Sequence, residues 1–287
     1  MGITLEDVRH FVDWRARRAR FDRILTLGRQ TYSLTPADFK RLGLPAAPPG
    51  YEPGGYHDRF FIDLLGAREV IALDASDFEG AQLRHDLNDP LPREHWGQFD
   101  AVIDGGTLEH VFNVPVALAS CMRALTVGGR FFGANPGNNL MGHGFYQFGP
   151  ELYYRVFSEA NGFRVERLEL QESRYPGVEL GFGHARYDVV DPADVHQRVE
   201  LVARRPVMLR VVALKETERE PFAMWPQQSD YVSRWTAGNG VASGRMAQST
   251  VRALVKTALP QSIWTRLVGW RQLRHASLSN RKFFRPR

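Results

Sequence analysis

The chain has 287 residues, of which 43% are hydrophobic and 24% charged, and its formal net charge is +5. This length suffices for one large α/β domain with appendages or for two small domains. No apolar run approaches the ~20 residues of a membrane-spanning helix. The first residues lack the basic and apolar segments of a signal peptide, so we expect a cytoplasmic protein. The single cysteine, Cys121, excludes an intrachain disulfide and a metal site built from cysteines.

Positive charge is concentrated near the C-terminal end. Residues 231–287 contain nine Arg, two Lys and no Asp or Glu, so this segment carries +11 and the rest of the chain −6. The change in composition predicts a mildly acidic body followed by a basic extension. We divide the chain into an N-terminal helical cap (1–20), a main domain (21–220, with insertions at 31–55 and 171–205) and a basic helical extension (221–287).

The first predicted element is a helix that begins after Thr4. Thr4 and Asp7 have the spacing of a capping box, and Val8, Phe11 and Val12 share one face of the helix. Such a helix either covers an active site or packs beside the domain with its outer face in solvent. The sequence leaves both interpretations open.

Residues 21–27 are predicted as the first strand, and Gly28 and Arg29 follow it. A glycine at this place permits a tight turn whose backbone N–H groups can approach a ligand. The Arg29 guanidinium could bind a carboxylate through two hydrogen bonds. The alternative is a structural turn with a surface arginine.

The next strands also end in acidic residues. A helix over residues 57–65 precedes a strand over residues 69–74, and a carboxylate at the end of a second strand, here Asp74, can accept hydrogen bonds from both ribose hydroxyls. Its alternative role is to cap the residues that follow, and Asp77 and Glu79 are nearby alternatives for the ribose contact. A third strand runs into Asp86 and Leu87, where the Asp-x-Asn pattern also suits a simple turn.

The fourth strand, residues 99–104, has the apolar run of a strand buried on both faces. It ends at Asp104 and a Gly-Gly turn, after which Thr107 can cap a helix with Glu109 in the first turn. Ligands of open parallel sheets bind beyond the carboxyl ends of the strands. We therefore expect Asp104, Glu109 and His110 at a ligand-binding edge.

Beyond this edge, the pattern predicts a helix over residues 116–125, a fifth strand over 130–134 and a loop over 135–148. The loop is too polar and glycine-rich for a core and unusually aromatic, so it is typical of a substrate pocket. The last predicted elements are a helix over 151–160 and strands over 163–170 and 207–215.

The segments FDAVIDGGTLEHVFN (99–113) and ALTVGGRFFGANPGN (124–138) resemble the fourth and fifth strands of class I S-adenosylmethionine (SAM)-dependent methyltransferases. GHGFYQFGPE (142–151) is similar to a segment of bacterial methyltransferases associated with surface-polysaccharide or natural-product gene clusters. The resemblance implies a Rossmann-like seven-stranded, mostly parallel sheet with helices on both faces. The seventh strand would run antiparallel between the fifth and sixth. To this α/β fold we add the N-terminal helix and the basic helical C-terminal extension.

The resemblance also implies roles for individual residues. Gly28 remains of the glycine-rich loop, Arg29 would pair with the SAM carboxylate, Asp74 would bind the ribose, and Asp86 and Leu87 would contact the adenine. Asp104, Glu109 and His110 would complete the cofactor site. SAM is therefore the predicted cofactor, and a small molecule or glycan the predicted methyl acceptor.

Methyl transfer to a hydroxyl usually needs a general base, and histidine suits this role near neutral pH. We predict His143 as the base, with Tyr146 and Asp104 as the other catalytic candidates. The alternative for His143 is a loop histidine that bonds the backbone. No clustered Asp/Glu pattern requires a metal, so we predict none.

Two other function classes stay open. A methyltransferase fold without methylation activity is suggested by the reduced glycine loop, and a nucleic-acid methyltransferase by the basic extension. The extension shows two helical patterns, residues 249–259 and 262–274. We expect them to pack on the acidic body or in a homodimer, and peripheral contact with a membrane or with an acidic polymer is the alternative.

Overall fold

A computed structural model describes residues 2–32, 34–45, 47, 51–52, 54–56, 58–173, 183–236 and 260–287. The helices are α1 (Leu5–Ala16), α2 (Pro36–Arg41), α3 (Asp58–Leu65), α4 (Val114–Ala124), α5 (Pro150–Val156), α6 (Pro192–Val195), α7 (Ser229–Thr236) and α8 (Gln261–His275). The strands are β1 (Arg23–Leu27), β2 (Glu69–Asp74), β3 (Leu83–Arg84), β4 (Phe99–Asp104), β5 (Leu125–Asn138), β6 (Phe163–Glu172), β7 (Ala185–Val189), β8 (Val207–Lys215) and β9 (Phe284–Pro286).

The strands form one sheet in the order β3-β2-β1-β4-β5-β8-β6-β7-β9. The pairs from β3 to β5 are parallel, and β8 lies antiparallel between β5 and β6. Each of the two large core clusters packs on one face of the sheet, one around α4 and α5 and the other around α1 and α3. This arrangement confirms the predicted Rossmann-like α/β fold and the place of the antiparallel strand.

The predicted number of strands was too small, because the described residues form nine strands instead of seven. β7 comes from the second insertion and pairs with β6, and β9 comes from the C-terminal extension and pairs with β7. Most residues of β7 are only half-buried, so this strand lacks the apolar alternation that the sequence prediction relied on. β9 covers the edge that β7 would otherwise expose.

Several predicted element boundaries also differ. Thr107 does not begin an α-helix: residues 108–110 form a short 3-10 turn, and α4 begins at Val114. The Thr107 hydroxyl instead donates to the carbonyl of Leu27, 2.7 Å away. β5 is much longer than predicted because its pairing with β8 continues to Asn138.

Helix α1 packs on the sheet. Its capping box between Thr4 and Asp7 is present, and Phe11 and Trp14 are buried with their rings against Phe132 of β5. Asp7 also accepts a hydrogen bond from the buried guanidinium of Arg210, 2.8 Å away. The helix is therefore a structural layer of the domain.

The described parts of the C-terminal extension differ in how closely they pack on the rest of the chain. At its start, Ser229 is buried and its N–H donates to the Glu151 carboxylate at 2.8 Å. Phe283 and Phe284 are fully buried beside β7, whereas α8 has no buried residue. The predicted helix over 249–259 lies outside the described residues. None of the helices in the described part of the chain is long and apolar enough to cross a membrane. The domain division and the dimer and membrane contacts stay predictions.

Candidate active site

The carboxyl ends of the parallel strands meet at one edge of the sheet. In the strand register, Leu27 pairs with Leu73 on one side and with Asp104 on the other, and Asp104 pairs with Gly133. The predicted site residues Gly28, Asp74 and Asp104 therefore come together at this edge, as the parallel order requires.

The turn after β1 depends on Gly28. Its φ is +74°, and a β carbon there would lie 3.2 Å from Thr107 Oγ1 and 3.9 Å from Asp74 Oδ2. The Gly28 N–H donates to the Leu73 carbonyl at 2.7 Å. A single glycine is thus enough to hold this turn close to the ends of β2 and β4.

Gln30 is a buried residue at the same turn that the sequence analysis missed. Its Nε2 donates to the Leu27 carbonyl at 3.0 Å, and Oε1 accepts no hydrogen bond from the described residues. A β carbon on Gly105 would overlap that oxygen, so a larger residue there would displace the Gln30 side chain from this position. No motif or periodicity marks Gln30 in the sequence.

Arg29, the predicted partner of the SAM carboxylate, makes contacts within the protein. Its guanidinium lies 3.1 Å from Asp58 Oδ2 and 2.5 Å from the Glu79 carbonyl. It also lies 3.9 Å from the ring centroid of Tyr56. These contacts join the turn after β1 to the start of α3, and the predicted carboxylate contact stays a prediction.

The ends of β2 and β3 are open to solvent. Asp74 is half-buried, and its Oδ1 accepts the Ser76 N–H at 3.0 Å. Asp86 is exposed and accepts the N–H and the Nδ2–H of Asn88, both at 2.8 Å. These hydrogen bonds lower the pKa of Asp86. Leu87 is buried.

The end of β4, in contrast, is closed by a buried acidic cluster. Asp104 and Glu109 are 1% and 0% exposed, and both accept hydrogen bonds from Asn135 Nδ2, at 2.6 and 3.0 Å. Asn135 lies on β5, and its Oδ1 accepts the Tyr153 hydroxyl at 2.5 Å. The orientation of the shared amide is therefore set by a buried tyrosine of α5.

Burial raises the pKa values of both carboxyl groups. For Asp104, hydrogen bonds from Asn135 and from the backbone N–H groups of Thr107 and Leu108 oppose this rise. For Glu109, burial and then the nearby Asp104 raise the pKa to about 7. Two acidic groups that are shielded from solvent and lie close to each other account for these shifts.

The aromatic loop after β5 attaches to the same turn. The N–H groups of Phe145 and Tyr146 donate to the Glu109 carbonyl at 2.8 and 3.2 Å. A β carbon on Gly144 would lie 2.7 Å from that carbonyl oxygen, so only glycine permits this approach. The Tyr146 hydroxyl donates to the Phe112 carbonyl at 2.8 Å.

This attachment brings His143 to Glu109. His143 Nε2 lies 3.4 Å from Glu109 Oε1, and the rings of His143 and His110 are 5.1 Å apart. One ligand atom from each of Glu109, His110 and His143 lies within 4.8 Å of the others. Burial and then the neighbouring His143 lower the pKa of His110. The sequence analysis named all three residues but did not predict that they form one cluster.

No family model and no curated protein sequence matches the chain. Among solved structures, it is similar to a candidate methyltransferase from Bacillus halodurans C-125 (12% identity, 72% of this chain, 99% of that chain, TM-score 0.37). It is also similar to 1,6-didemethyltoxoflavin-N1-methyltransferase from Burkholderia thailandensis, solved with bound 1,6-didemethyltoxoflavin and S-adenosylhomocysteine (SAH) (17% identity, 73% of this chain, 78% of that chain, TM-score 0.39). A third similar structure is a TehB-like SAM-dependent methyltransferase from Corynebacterium glutamicum ATCC 13032 (18% identity, 75% of this chain, 89% of that chain, TM-score 0.37). The strand order described above, rather than these similarities, identifies the fold.

Proposed function

We propose that this chain is a SAM-dependent methyltransferase that acts on a hydroxyl group of a small molecule or glycan. The observation that carries the proposal is one sheet edge that combines two kinds of group. It has a glycine turn with an acid on the neighbouring strand, Gly28 and Asp74, and beside them the buried cluster around Glu109. The glycine turn with its neighbouring acid suits a nucleoside ligand, and the buried cluster suits proton removal from an acceptor.

The described residues fit bound SAM in two respects. The turn at Gly28 has no side chain and lies beside Asp74 Oδ2, which can accept hydrogen bonds from ribose hydroxyls. The buried Gln30 Oε1 accepts no hydrogen bond from the described residues, so it can accept one from the ammonium group of a ligand. We assign Asp86 and Leu87 to the adenine, as the family resemblance implies.

SAM, when bound, supplies an electrophilic methyl group, and the protein's task is to orient the acceptor and remove its proton. Asp104 accepts three hydrogen bonds and is buried, so we assign it to positioning the turn that carries Glu109. Tyr146 provides an aromatic wall, since its hydroxyl is bonded to Phe112. Activation of the acceptor is assigned to Glu109 and His143.

The test is calorimetry of the full chain with SAM and SAH, followed by the Asp74→Ala variant. We expect the variant to bind SAH about 5–150-fold more weakly, because about 1–3 kcal/mol is lost when ribose hydroxyls lack an acceptor. Asp77→Ala removes the exposed alternative acid in the next loop, and this variant should bind normally if Asp74 holds the ribose. The absence of heat and of a thermal shift with either ligand at millimolar concentration would overturn the proposal.

Mass spectrometry of molecules that copurify with the chain would identify the acceptor class. The expected result is a hydroxylated small molecule or glycan in which, in the presence of SAM, a methyl group replaces one hydrogen, so that its mass increases by one CH₂ unit. Methylation at nitrogen or carbon would contradict the assignment of the acceptor atom.

A further inference from the structure

One cluster of side chains at the sheet edge has the composition of a metal site. Glu109 and His110 come from the 3-10 turn after β4, and His143 comes from the loop after β5. One carboxylate and two imidazoles place their ligand atoms within 4.8 Å of one another. The 3.4 Å between Glu109 Oε1 and His143 Nε2 is the separation of two ligands that each lie about 2.1 Å from one tetrahedral ion.

The buried carboxylate is held in the orientation that such a site needs. Glu109 is 0% exposed, and its Oε2 accepts the amide of Asn135 at 3.0 Å. Its other oxygen, Oε1, accepts no hydrogen bond from the described residues and faces His143. Metal-binding carboxylates are typically fixed in this way by a hydrogen bond from behind.

The charge of the cluster also favours a cation. Asp104 and Glu109 share one amide donor. Among the described residues, neither forms an ion pair with Lys or Arg. Two buried carboxylates that lack a lysine or arginine partner among the described residues are costly unless another positive charge lies nearby.

We propose that Glu109, His110 and His143 bind a divalent transition-metal ion, with Zn²⁺ the best match. Two imidazoles and one carboxylate favour such an ion over Mg²⁺, which prefers oxygen ligands. Three protein ligands leave a position open for a further oxygen ligand. The sequence-based assignment of His143 changes accordingly, from a base to a ligand.

The role of the ion rests on the proposed function. A divalent ion lowers the pKa of an oxygen that it binds. An acceptor hydroxyl at the open position would lose its proton to solvent, and the oxygen would keep the electron pair. This pair would form the bond to the methyl group of SAM as the methyl–sulfur bond breaks and SAH leaves. This deepens the proposed function by naming the acceptor class: a molecule whose hydroxyl can reach the ion, as those of sugars and phenols can.

The test is calorimetric titration of the full, chelator-treated chain with ZnCl₂ in the absence of SAM. We expect one ion per chain with a Kd below about 10 µM, and we expect His143→Ala to weaken binding by about 100-fold or more. Glu109→Gln should weaken binding similarly, and since it also alters the contact with Asn135, its folding is checked by thermal denaturation. His95→Ala, which changes a histidine outside the cluster, should leave the affinity unchanged.

Zinc binding that is absent, or that His143→Ala does not weaken, would overturn the metal site. Parallel titrations with SAH separate this result from the proposed function. If the chain binds SAH but no zinc, the methyltransferase proposal stands and the metal site is overturned. If the chain binds zinc through His143 but does not bind SAH, the metal site stands and the methyltransferase proposal is overturned.

Discussion

The carboxyl ends of β4 and β2 lie at the same edge of one sheet, yet their acidic residues have opposite surroundings. At the end of β4, Asp104 and Glu109 are buried and bonded to an asparagine from the neighbouring strand. At the end of β2, Asp74 is half-buried, and its Oδ1 bonds Ser76, two residues away. The first acidic pair is part of the core, and the second acid belongs to the surface.

This difference separates two tasks. A carboxylate that recognises ligand hydroxyls must exchange water for the ligand, so it needs access to solvent. Groups that position or activate a reacting atom must be preorganised by their surroundings, which the buried network of Asn135 and Tyr153 provides. We therefore expect substitutions at the β4 end to change mainly stability, and substitutions at the β2 and β3 ends to change mainly ligand affinity.

The largest effect is expected from Asn135→Ala. The variant removes the donor shared by two buried carboxylates and the acceptor of the Tyr153 hydroxyl. We expect the free energy of unfolding to fall by about 3–5 kcal/mol, measured by urea denaturation. Asn138→Ala on the same strand is the control, because this half-buried amide contacts no carboxylate: it donates to the Leu201 carbonyl at 3.4 Å and accepts the exposed Asn139 N–H at 2.9 Å. Equal losses in both variants would show that the cluster has no special role in stability.

Tyr153→Phe tests the outer part of the same network. The ring keeps its packing, but Asn135 Oδ1 loses the hydroxyl that lies 2.5 Å away. We expect a loss of about 1–2 kcal/mol in the free energy of unfolding. Tyr146→Phe, whose hydroxyl donates to a more exposed carbonyl, should cost less than about 0.5 kcal/mol. If the two variants unfold at the same urea concentration, Tyr153 does not fix the amide.

Gly28→Ala tests the open side of the edge. The backbone at Gly28 is left-handed, with φ +74°, so alanine at this position should lower the free energy of unfolding by about 1 kcal/mol. Gly43→Ala is a matched control, because Gly43 has φ +65° and a β carbon there would meet no atom within 4 Å. We expect similar unfolding midpoints for the two variants but about 10-fold weaker SAH binding for Gly28→Ala alone. Normal binding by Gly28→Ala would remove this turn from the proposed ligand site.

The sequence was sufficient to predict the parallel part of the sheet. Apolar runs ending in polar turns, as at Leu27, Asp74 and Asp104, predicted these strands and the edge at which their ends meet. The arrangement of the strands in the sheet was implied by the family resemblance. β7 and β9 were missed because the half-buried residues of β7 show no periodicity and because β9 pairs with a strand almost a hundred residues earlier.

The buried cluster could be predicted only in part. Glu109, His110 and His143 were each named, but their meeting depends on contact between two loops. Gly144 provides that contact by approaching the Glu109 carbonyl, and a glycine within a glycine-rich loop gives no sign of its partner. Gln30 and Asn135 were missed as site residues for a related reason, since their roles arise from tertiary contacts that no local pattern records.

Asp86→Ala should have the smallest effect on the fold. Asp86 is exposed, and its hydrogen bonds with Asn88 are local and accessible to water, so the unfolding midpoint should barely change. If Asp86 contacts the adenine amino group, calorimetry should show SAH binding about 3–10-fold weaker, the effect of losing one solvent-accessible hydrogen bond. Asp89→Ala, an exposed acid three residues further on, should bind SAH normally. Equal affinities in the two variants would show that Asp86 only shapes the turn, and the adenine would then have to be recognised through Leu87 and the neighbouring backbone.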